Sequence, residues 1–262
     1  MNRPQVQSLD AQLDALRLTP ADAQALFDVA DALDGHYRLR SALSDPTVPG
    51  EVRARVAKKL FGARLAAAPV AAIELFTRHL SDPDKLIGAV ERAGLRVLLA
   101  SSPVEQVQDE LFRIARIIEA NPELQTALAD PGIDTTARQE LIGGLLAGRA
   151  CPVTLMLVRR VMLVRRALGE HGRTLVRRLD AQVELAAEIR NHAVARVTVA
   201  MPLAAGQLAR LRAELVRIYG VGIDVEVEIA PEVLGGVRIQ VGDELIDGTL
   251  IGRLEHARSL IG

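Results

Sequence analysis

The segment ALSDP at residues 42–46 returns as ALADP at residues 127–131, so that the two segments lie 85 residues apart. When residues 26–64 are compared with residues 111–149 at this offset and without gaps, 11 of 39 pairs are identical. A unit of this length that occurs only twice predicts a duplicated domain rather than a long solenoid.

Each copy has the spacing of a helical bundle. Apolar residues recur at steps of three and four within residues 26–37, and again within residues 111–118, as on one face of a helix. Proline disfavours the helical conformation in the preceding residue, so a helix should end near Asp45 and another near Asp130. Asp82, followed directly by a proline, is typical of a helix start.

The final third of the chain changes to a two-residue period. Three strands are predicted, within residues 193–199, 223–229 and 237–241. A helix with apolar positions from Leu208 to Ile218 fits between the first two strands, and residues 231–236 fit a long hairpin connection or a bulged turn between the last two. A terminal helix is predicted after Thr249, which suits the N-cap position.

These patterns predict a mostly α fold class, with two tandem helical bundles followed by a small α+β C-terminal module. We place the first bundle at residues 1–88, the second at residues 89–190 and the module at residues 191–262. The 262 residues and the 49% hydrophobic composition suffice for several packed cores and exclude a disordered chain.

Composition excludes several classes of protein. A single cysteine, Cys151, excludes a disulfide framework and a cysteine-based zinc site. Six aromatic residues are too few for a stacking platform that binds single-stranded nucleic acid. Neither a signal peptide nor an apolar stretch of membrane-spanning length is visible, so we expect a soluble, cytoplasmic protein unless a partner ties it to a membrane.

The sequence offers no catalytic or cofactor motif. Phosphate-loop, dinucleotide-binding and zinc-protease patterns are absent, and the five histidines are scattered without metal-ligand spacing. Asp243, Glu244 and Asp247 are interpreted as turn residues rather than an acid pair. The glycine pair at 235–236 is interpreted as a bulge or a positive-φ position, and Cys151 as a small residue at a helix junction. We therefore predict no catalytic residue, cofactor or metal.

One segment is apolar nearly all round. Residues 153–168 read VTLMLVRRVMLVRRAL, a helix interrupted only by two arginine pairs. Such a helix is either buried on every side or presents one apolar face to a partner. Residues 149–190 hold nine arginines against four acidic residues, a patch that suits acidic protein, nucleic acid or lipid headgroups, or remains a solvated helical face.

The run IAPEVLGGVRIQVGDELIDGTLIGRL, residues 229–254, resembles the C-terminal signature of the delta subunit of F-type ATP synthase. This is the family of the oligomycin-sensitivity-conferring protein. The run differs from the usual pattern at Ala230 and Thr249, two positions that tolerate change in a turn or a cap. The features that match, in order, are Leu234-Gly235-Gly236, Gly242-Asp243, Ile246-Asp247-Gly248 and Arg253-Leu254.

The resemblance also accounts for the length. Without one 85-residue copy the chain would have 177 residues, about the size of an ordinary delta subunit. The additional copy resembles the duplicated helical domain of actinobacterial delta-type subunits. In the family, the first and fifth helices of the standard bundle form a groove for the N-terminal helix of an alpha subunit. The groove residues implied here are Leu95, Leu98, Leu99, Leu155, Leu157, Val158 and Met162.

The family's C-terminal module binds the b subunit of the peripheral stalk. The residues that the resemblance implies for this contact and for the fold of the module are Val233, Leu234, Gly235, Gly236, Asp247, Gly248 and Leu254.

The resemblance implies a non-catalytic stator subunit, which links the catalytic head to the b subunit so that the head resists rotor torque. It implies assembly with the F-type complex at the cytoplasmic face of the plasma membrane, without nucleic acid and without direct membrane insertion. Two rival functions stay open. One is a helical regulatory or RNA-associated adaptor, which the basic patch favours, and the other is an enzyme that uses Asp243 and Asp247.

Overall fold

The computed structural model describes residues 3–130, 132–163, 174–231, 236–242 and 244–247. These residues form twelve helices and one four-stranded sheet. The chain divides into two compact units, Met1–Gln182 and Val183–Gly262. The mostly α fold class with a small α+β C-terminal module is thereby confirmed.

The first unit is helical. Its helices are α1 Arg3–Ala15, α2 Pro20–Gly35, α3 Tyr37–Ser44, α4 Gly50–Phe61, α5 Ala67–His79, α6 Pro83–Ala100, α7 Val104–Glu119, α8 Pro122–Ala129, α9 Thr135–Leu146, α10 Pro152–Val161 and the first part of α11, Leu175–Ile189. Helices α1 to α6 share a continuous apolar core, which includes the fully buried Leu26, Leu33 and Ile73.

The offset of 85 residues relates helices as well as sequence. Helix α3, moved by 85 residues, covers residues 122–129, which are the bounds of α8. Helix α4 in the same way gives residues 135–146, the bounds of α9, and α5 and α10 share their starting position. The structure therefore confirms the duplication, with corresponding helices in the same order.

Helix α6 belongs to both repeats. As the partner of α1 at the 85-residue offset, its segment 88–100 opens the second repeat. The same helix follows α5 and packs against α2, α3 and α5, as the last helix of the first repeat. It runs without interruption through the boundary predicted between residues 88 and 89. Asp82 caps its N-terminus, as predicted, and accepts hydrogen bonds from two backbone amides.

Identical residues hold the repeated Asp-Pro turn in both copies. The carboxylates of Asp45 and Asp130 each accept the backbone N–H two residues later, at 2.9 and 2.8 Å. Arg53 donates to the carbonyl of Asp45 at 2.9 Å, and its counterpart Arg138 donates to the carbonyl of Leu128 at 3.2 Å. Helices α3 and α8 end where the prolines predict. The two arginines satisfy carbonyl groups at these helix ends, that of Asp45 just after α3 and that of Leu128 in the last turn of α8.

Two helix predictions are wrong in detail. The apolar face of α2 ends at Leu33, whereas Tyr37 begins α3 and is 71% exposed. The helix predicted over residues 153–168 ends at Val161, where the amide of Met162 closes the last turn. Two arginines lie in that last turn, and positive charge near the C-terminal end of a helix favours an end at this point. Residues 164–168 lie outside the described residues.

The second unit contains the sheet. Its elements after α11 are β1 His192–Val199, α12 Ala205–Tyr219, β2 Gly222–Ile229, β3 Val237–Val241 and β4 Glu244–Asp247. The strand order is β2-β1-β3-β4. Strand β1 pairs in parallel with β2, from His192 opposite Gly222, and antiparallel with β3, with Val197 opposite Ile239.

Three strands and the intervening helix form as predicted, but the connection at residues 231–236 is not a hairpin. Strand β1 lies between β2 and β3, so the two strands that flank this segment are not paired with each other. The interpretation of Glu244 and Asp247 as turn residues is also wrong, because both belong to β4. That strand pairs with β3 across a turn in which Gly242 has a φ of 58°.

Candidate docking surfaces

Most of the residues predicted for the alpha-subunit groove are buried within the helical unit. These residues lie on or next to α6 and α10, and the two helices are in contact. Leu95 and Leu155 are half-buried and reach the surface. The buried side chains are Leu98, Leu99, Leu157, Val158 and Met162, none more than 7% exposed. A partner that docks here therefore meets Leu95 and Leu155 first.

An arginine cluster fixes α10 to the first repeat. Arg160 forms a bidentate ion pair with Glu91 of α6, at 2.8 and 2.7 Å, and a second with Asp31 of α2, at 2.9 and 3.0 Å. Its guanidinium carbon lies 4.4 Å from the centre of the Phe27 ring. Burial opposes the charge, but the hydrogen bonds and the charges of Glu91 and Asp31 raise the pKa of Arg160 above its ordinary value.

Sequence reasoning missed this cluster. It placed Arg160 in a basic surface patch, whereas the side chain is only 9% exposed and its partners lie 69 and 129 residues away. A helical wheel cannot reveal such partners, since it reports only neighbours on the same helix. Part of the predicted basic patch is therefore an internal contact between the two repeats.

A carboxylate organises the start of α10. Glu110 of α7 accepts hydrogen bonds from the hydroxyl of Thr154 at 2.6 Å and from the amide of Cys151 at 2.9 Å. Burial acts to raise the pKa of Glu110, but these hydrogen bonds prevail and hold it below the ordinary value of 4.5. Cys151 is the N-cap residue of α10, at the helix junction where the sequence places it.

Most of the residues predicted for the b-subunit contact lie outside the described residues. They are Val233, Leu234, Gly235, Gly248 and Leu254, and the predicted terminal helix with its cap Thr249 lies outside as well. Gly236 has a φ of 88°, a positive value that favours glycine. This agrees with one of the two interpretations of the glycine pair at 235–236. Asp247 ends β4, in register with Arg238 of β3.

The C-terminal unit has an apolar groove of its own. A cavity of about 650 Å³ lies between α12 and β2 and is lined by side chains that include Leu208, Val216 and Val225. Val216 is 38% exposed at its edge. At the start of the sheet, Asp224 of β2 accepts a hydrogen bond from Arg190 at 2.9 Å and pairs with His192 at 2.8 Å. These contacts tie the end of α11 to both parallel strands.

Within the described ranges, no three histidine, cysteine, aspartate or glutamate side chains are grouped so that they hold a metal ion. In the same ranges, no helix combines the length and the apolar character needed to cross a membrane.

Comparison with known proteins gives one consistent result. The family described as ATP synthase delta (OSCP) subunit matches residues 95–261, well over half of the chain. ATP synthase subunit delta of Streptomyces avermitilis is 39% identical over 256 residues, which cover 95% of this chain and 92% of the relative. The proteins of the same name from Salinispora tropica and Nocardia farcinica are 40% and 36% identical, over 91% and 94% of this chain.

These relatives span the first repeat as well as the second, whereas the family match begins only near the end of α6. Both findings agree with the signature at residues 229–254, which first indicated the same family. The chain belongs to the ATP synthase delta (OSCP) subunit family.

Proposed function

We propose that this chain, a non-catalytic peripheral-stalk subunit of an F-type ATP synthase, joins the N-terminal helix of an alpha subunit to the b subunit. The alpha subunit contacts the surface of α6 and α10 at Leu95 and Leu155. The b subunit contacts the C-terminal unit, at the predicted residues 233–236, 247–248 and 254 and at the groove between α12 and β2. The observation that best supports this proposal is the similarity to delta subunits, which extends over nearly the whole chain.

A stator needs two tight binding faces and a stiff body between them, but no reacting group. Proton flow turns the central rotor, the rotor exerts torque on the head, and the peripheral stalk holds the head still during ATP synthesis. Helix packing fixed by buried ion pairs, as at Arg160, suits such a body. The complex is associated with a membrane, and we place this subunit at the cytoplasmic face.

The family assignment gives no support to an RNA-associated adaptor or to an enzyme. The basic residue Arg160, part of the patch that favoured an adaptor, is engaged in internal ion pairs. Asp247, which the enzyme hypothesis used, ends an edge strand opposite Arg238.

Two surface variants test the two contacts separately. Leu155→Asp places a charge on the half-buried edge of α10, and we expect it to weaken binding of an alpha N-terminal peptide by at least about tenfold. Val216→Asp should weaken binding of a b-subunit fragment to a similar extent and leave the peptide affinity unchanged. Both affinities are measured on the full chain by titration calorimetry, and circular dichroism verifies that each variant is folded.

Each variant serves as the control for the other. Unchanged peptide affinity in a folded Leu155→Asp variant would remove the alpha-subunit contact from α10. Charged substitutions at the buried Leu98 or Leu157 are unsuitable for this purpose, since they would disrupt the core itself.

A further inference from the structure

An open apolar groove lies on the second repeat, and none of the residues predicted for the alpha-subunit or b-subunit contact lines it. Its volume is about 770 Å³, and its walls come from α7, the start of α8 and the end of α9. Ile114 and Ile142 form its buried floor. Ile117 and Leu145 stand at its edges and are 56% and 42% exposed, so that they extend the apolar floor to the surface.

Two of the positions at which the repeats differ help to leave this groove open. Leu146 and Ala150 line it, and their counterparts 85 residues earlier are Phe61 and Leu65. In the first repeat these larger side chains pack against the apolar core. In the second repeat, smaller side chains at the corresponding positions leave the space between α7 and α9 open.

The walls determine which kind of chain fits. Lining residues on α7 run from Glu110 to Ile118, over a little more than two helical turns, roughly 12 Å. All walls are helical, so they offer no sheet edge, and an extended peptide would bury unpaired backbone groups. A helix satisfies its own backbone hydrogen bonds and presents apolar side chains every three or four residues. The occupant is therefore a helix with one apolar face.

The charges at the rim determine the polar face of that helix. Arg113 on α7 and Arg149 after α9 are both exposed beside the groove, and Arg113 has only a solvent-exposed pair with Asp109 at 3.7 Å. Of the two lining carboxylates, Glu110 is already engaged by Thr154 and Cys151, which leaves Glu123 at the start of α8. These charges favour carboxylates along the edges of the apolar face.

We propose that the groove between α7 and α9 binds an acidic amphipathic helix of another protein, as a third docking surface besides the two of the proposed function. Ile117 and Leu145 bury the apolar face of that helix, and Arg113 and Arg149 pair with its carboxylates. The proposal is independent of where the alpha and b subunits bind, because it uses none of their predicted contact residues.

The probe for this proposal is a designed helical peptide of about 18 residues, with leucine at every third or fourth position and glutamate on both flanks. A second peptide carries lysine in place of each glutamate. Binding to the full chain is followed by fluorescence anisotropy. We expect the glutamate peptide to bind at least about tenfold more tightly than the lysine peptide. Equal affinity for both peptides, or no binding of either, would overturn the proposal.

The repeat supplies matched control variants. Leu145→Asp should weaken binding of the glutamate peptide at least about tenfold, whereas Leu60→Asp, at a leucine of similar exposure 85 residues earlier, should leave it unchanged. Arg149→Glu should likewise weaken binding, and Arg64→Glu, its counterpart, should not. Equal losses in both members of a pair would contradict the assignment.

Two further measurements distinguish this proposal from others. Leu145→Asp should retain full affinity for the alpha peptide and the b fragment. The binding proposal for the groove and the proposed function can therefore be rejected independently of each other. Sedimentation of the unmodified chain should show a monomer. A dimer that Leu145→Asp dissociates would instead make the groove a contact between two copies of this chain, and the proposal would be wrong.

Discussion

At the scale of single residues, the most consequential side chain is Arg160. It pairs with Glu91 and Asp31 and covers the ring of Phe27, so one guanidinium joins three helices. Glu91 is only 10% exposed. Removing the arginine leaves this carboxylate buried without its main partner, and an uncompensated buried charge costs far more than an exposed one.

We therefore expect Arg160→Met to lower the free energy of unfolding by about 3 kcal/mol, measured by urea denaturation. The double variant Arg160→Met with Glu91→Leu should lose less, because it leaves no buried carboxylate unpaired. Arg113→Met, which removes a solvent-exposed pair with Asp109, should cost less than about 0.5 kcal/mol. A single variant as stable as the double would show that Glu91 finds other partners.

The sequence reveals some residue roles better than others. Identity between the repeats singles out Arg53 and Arg138, but only the structure shows that both guanidinium groups bind backbone carbonyls near the repeated turn. Arg160 has no such counterpart, as residue 75 is a leucine. Its role depends on packing between repeats, which no local pattern encodes.

At the scale of elements, glycines reveal how closely two helices approach. A Cβ atom on Gly50, the first residue of α4, would lie 2.1 Å from the carbonyl oxygen of Arg78 near the end of α5. The neighbour is backbone, so the helices would have to separate. Gly144, in the exposed part of α9, has no atom within 4 Å of the same position.

Gly50→Ala should therefore destabilise the chain by roughly 1–3 kcal/mol, since the added methyl group forces α4 away from α5. Gly144→Ala should stabilise it by about 0.5–1 kcal/mol, because alanine favours the helix and meets no neighbour. Thermal unfolding followed by circular dichroism distinguishes the two signs. Equal effects at both positions would contradict the close approach of α4 and α5.

Helix ends proved easier to predict than strand neighbours. Proline and N-cap residues act locally, so Asp45, Asp82 and Asp130 lie at helix ends as expected. Alternating apolar residues identify a strand, but they do not determine which other strand lies beside it in the sheet. The position of β1 between β2 and β3 follows from the parallel pairing across α12, which the alternation does not contain.

At the scale of the whole molecule, the two repeats form one compact unit. Phe27 of α2 packs so closely on α6 that a Cβ atom at Gly94 would lie 2.5 Å from its ring. Ala89, Val90 and Ala93 of α6 are likewise buried. The apolar pattern places these residues on one helix face but cannot assign that face to one bundle or the other.

Deletion of residues 1–80 should therefore not leave an intact second repeat. It uncovers the buried face of α6 and removes Asp31 from Arg160, at a cost of at least about 3 kcal/mol. We expect the shortened chain to unfold at a lower temperature and to aggregate, as measured by calorimetry and sedimentation. A monomeric shortened chain with an unchanged unfolding temperature would show that the second repeat is self-sufficient.

Because α6 ends one bundle and begins the next, the body of this subunit has no hinge between its repeats. Bending at that point would break backbone hydrogen bonds in the middle of a helix rather than swing a loop. Under load, we therefore expect the connection to deform slightly and elastically, as a continuous helix does, whereas a flexible linker would transmit no force until it was fully extended. A duplication through a shared helix therefore adds a second bundle without adding a flexible linker between the two.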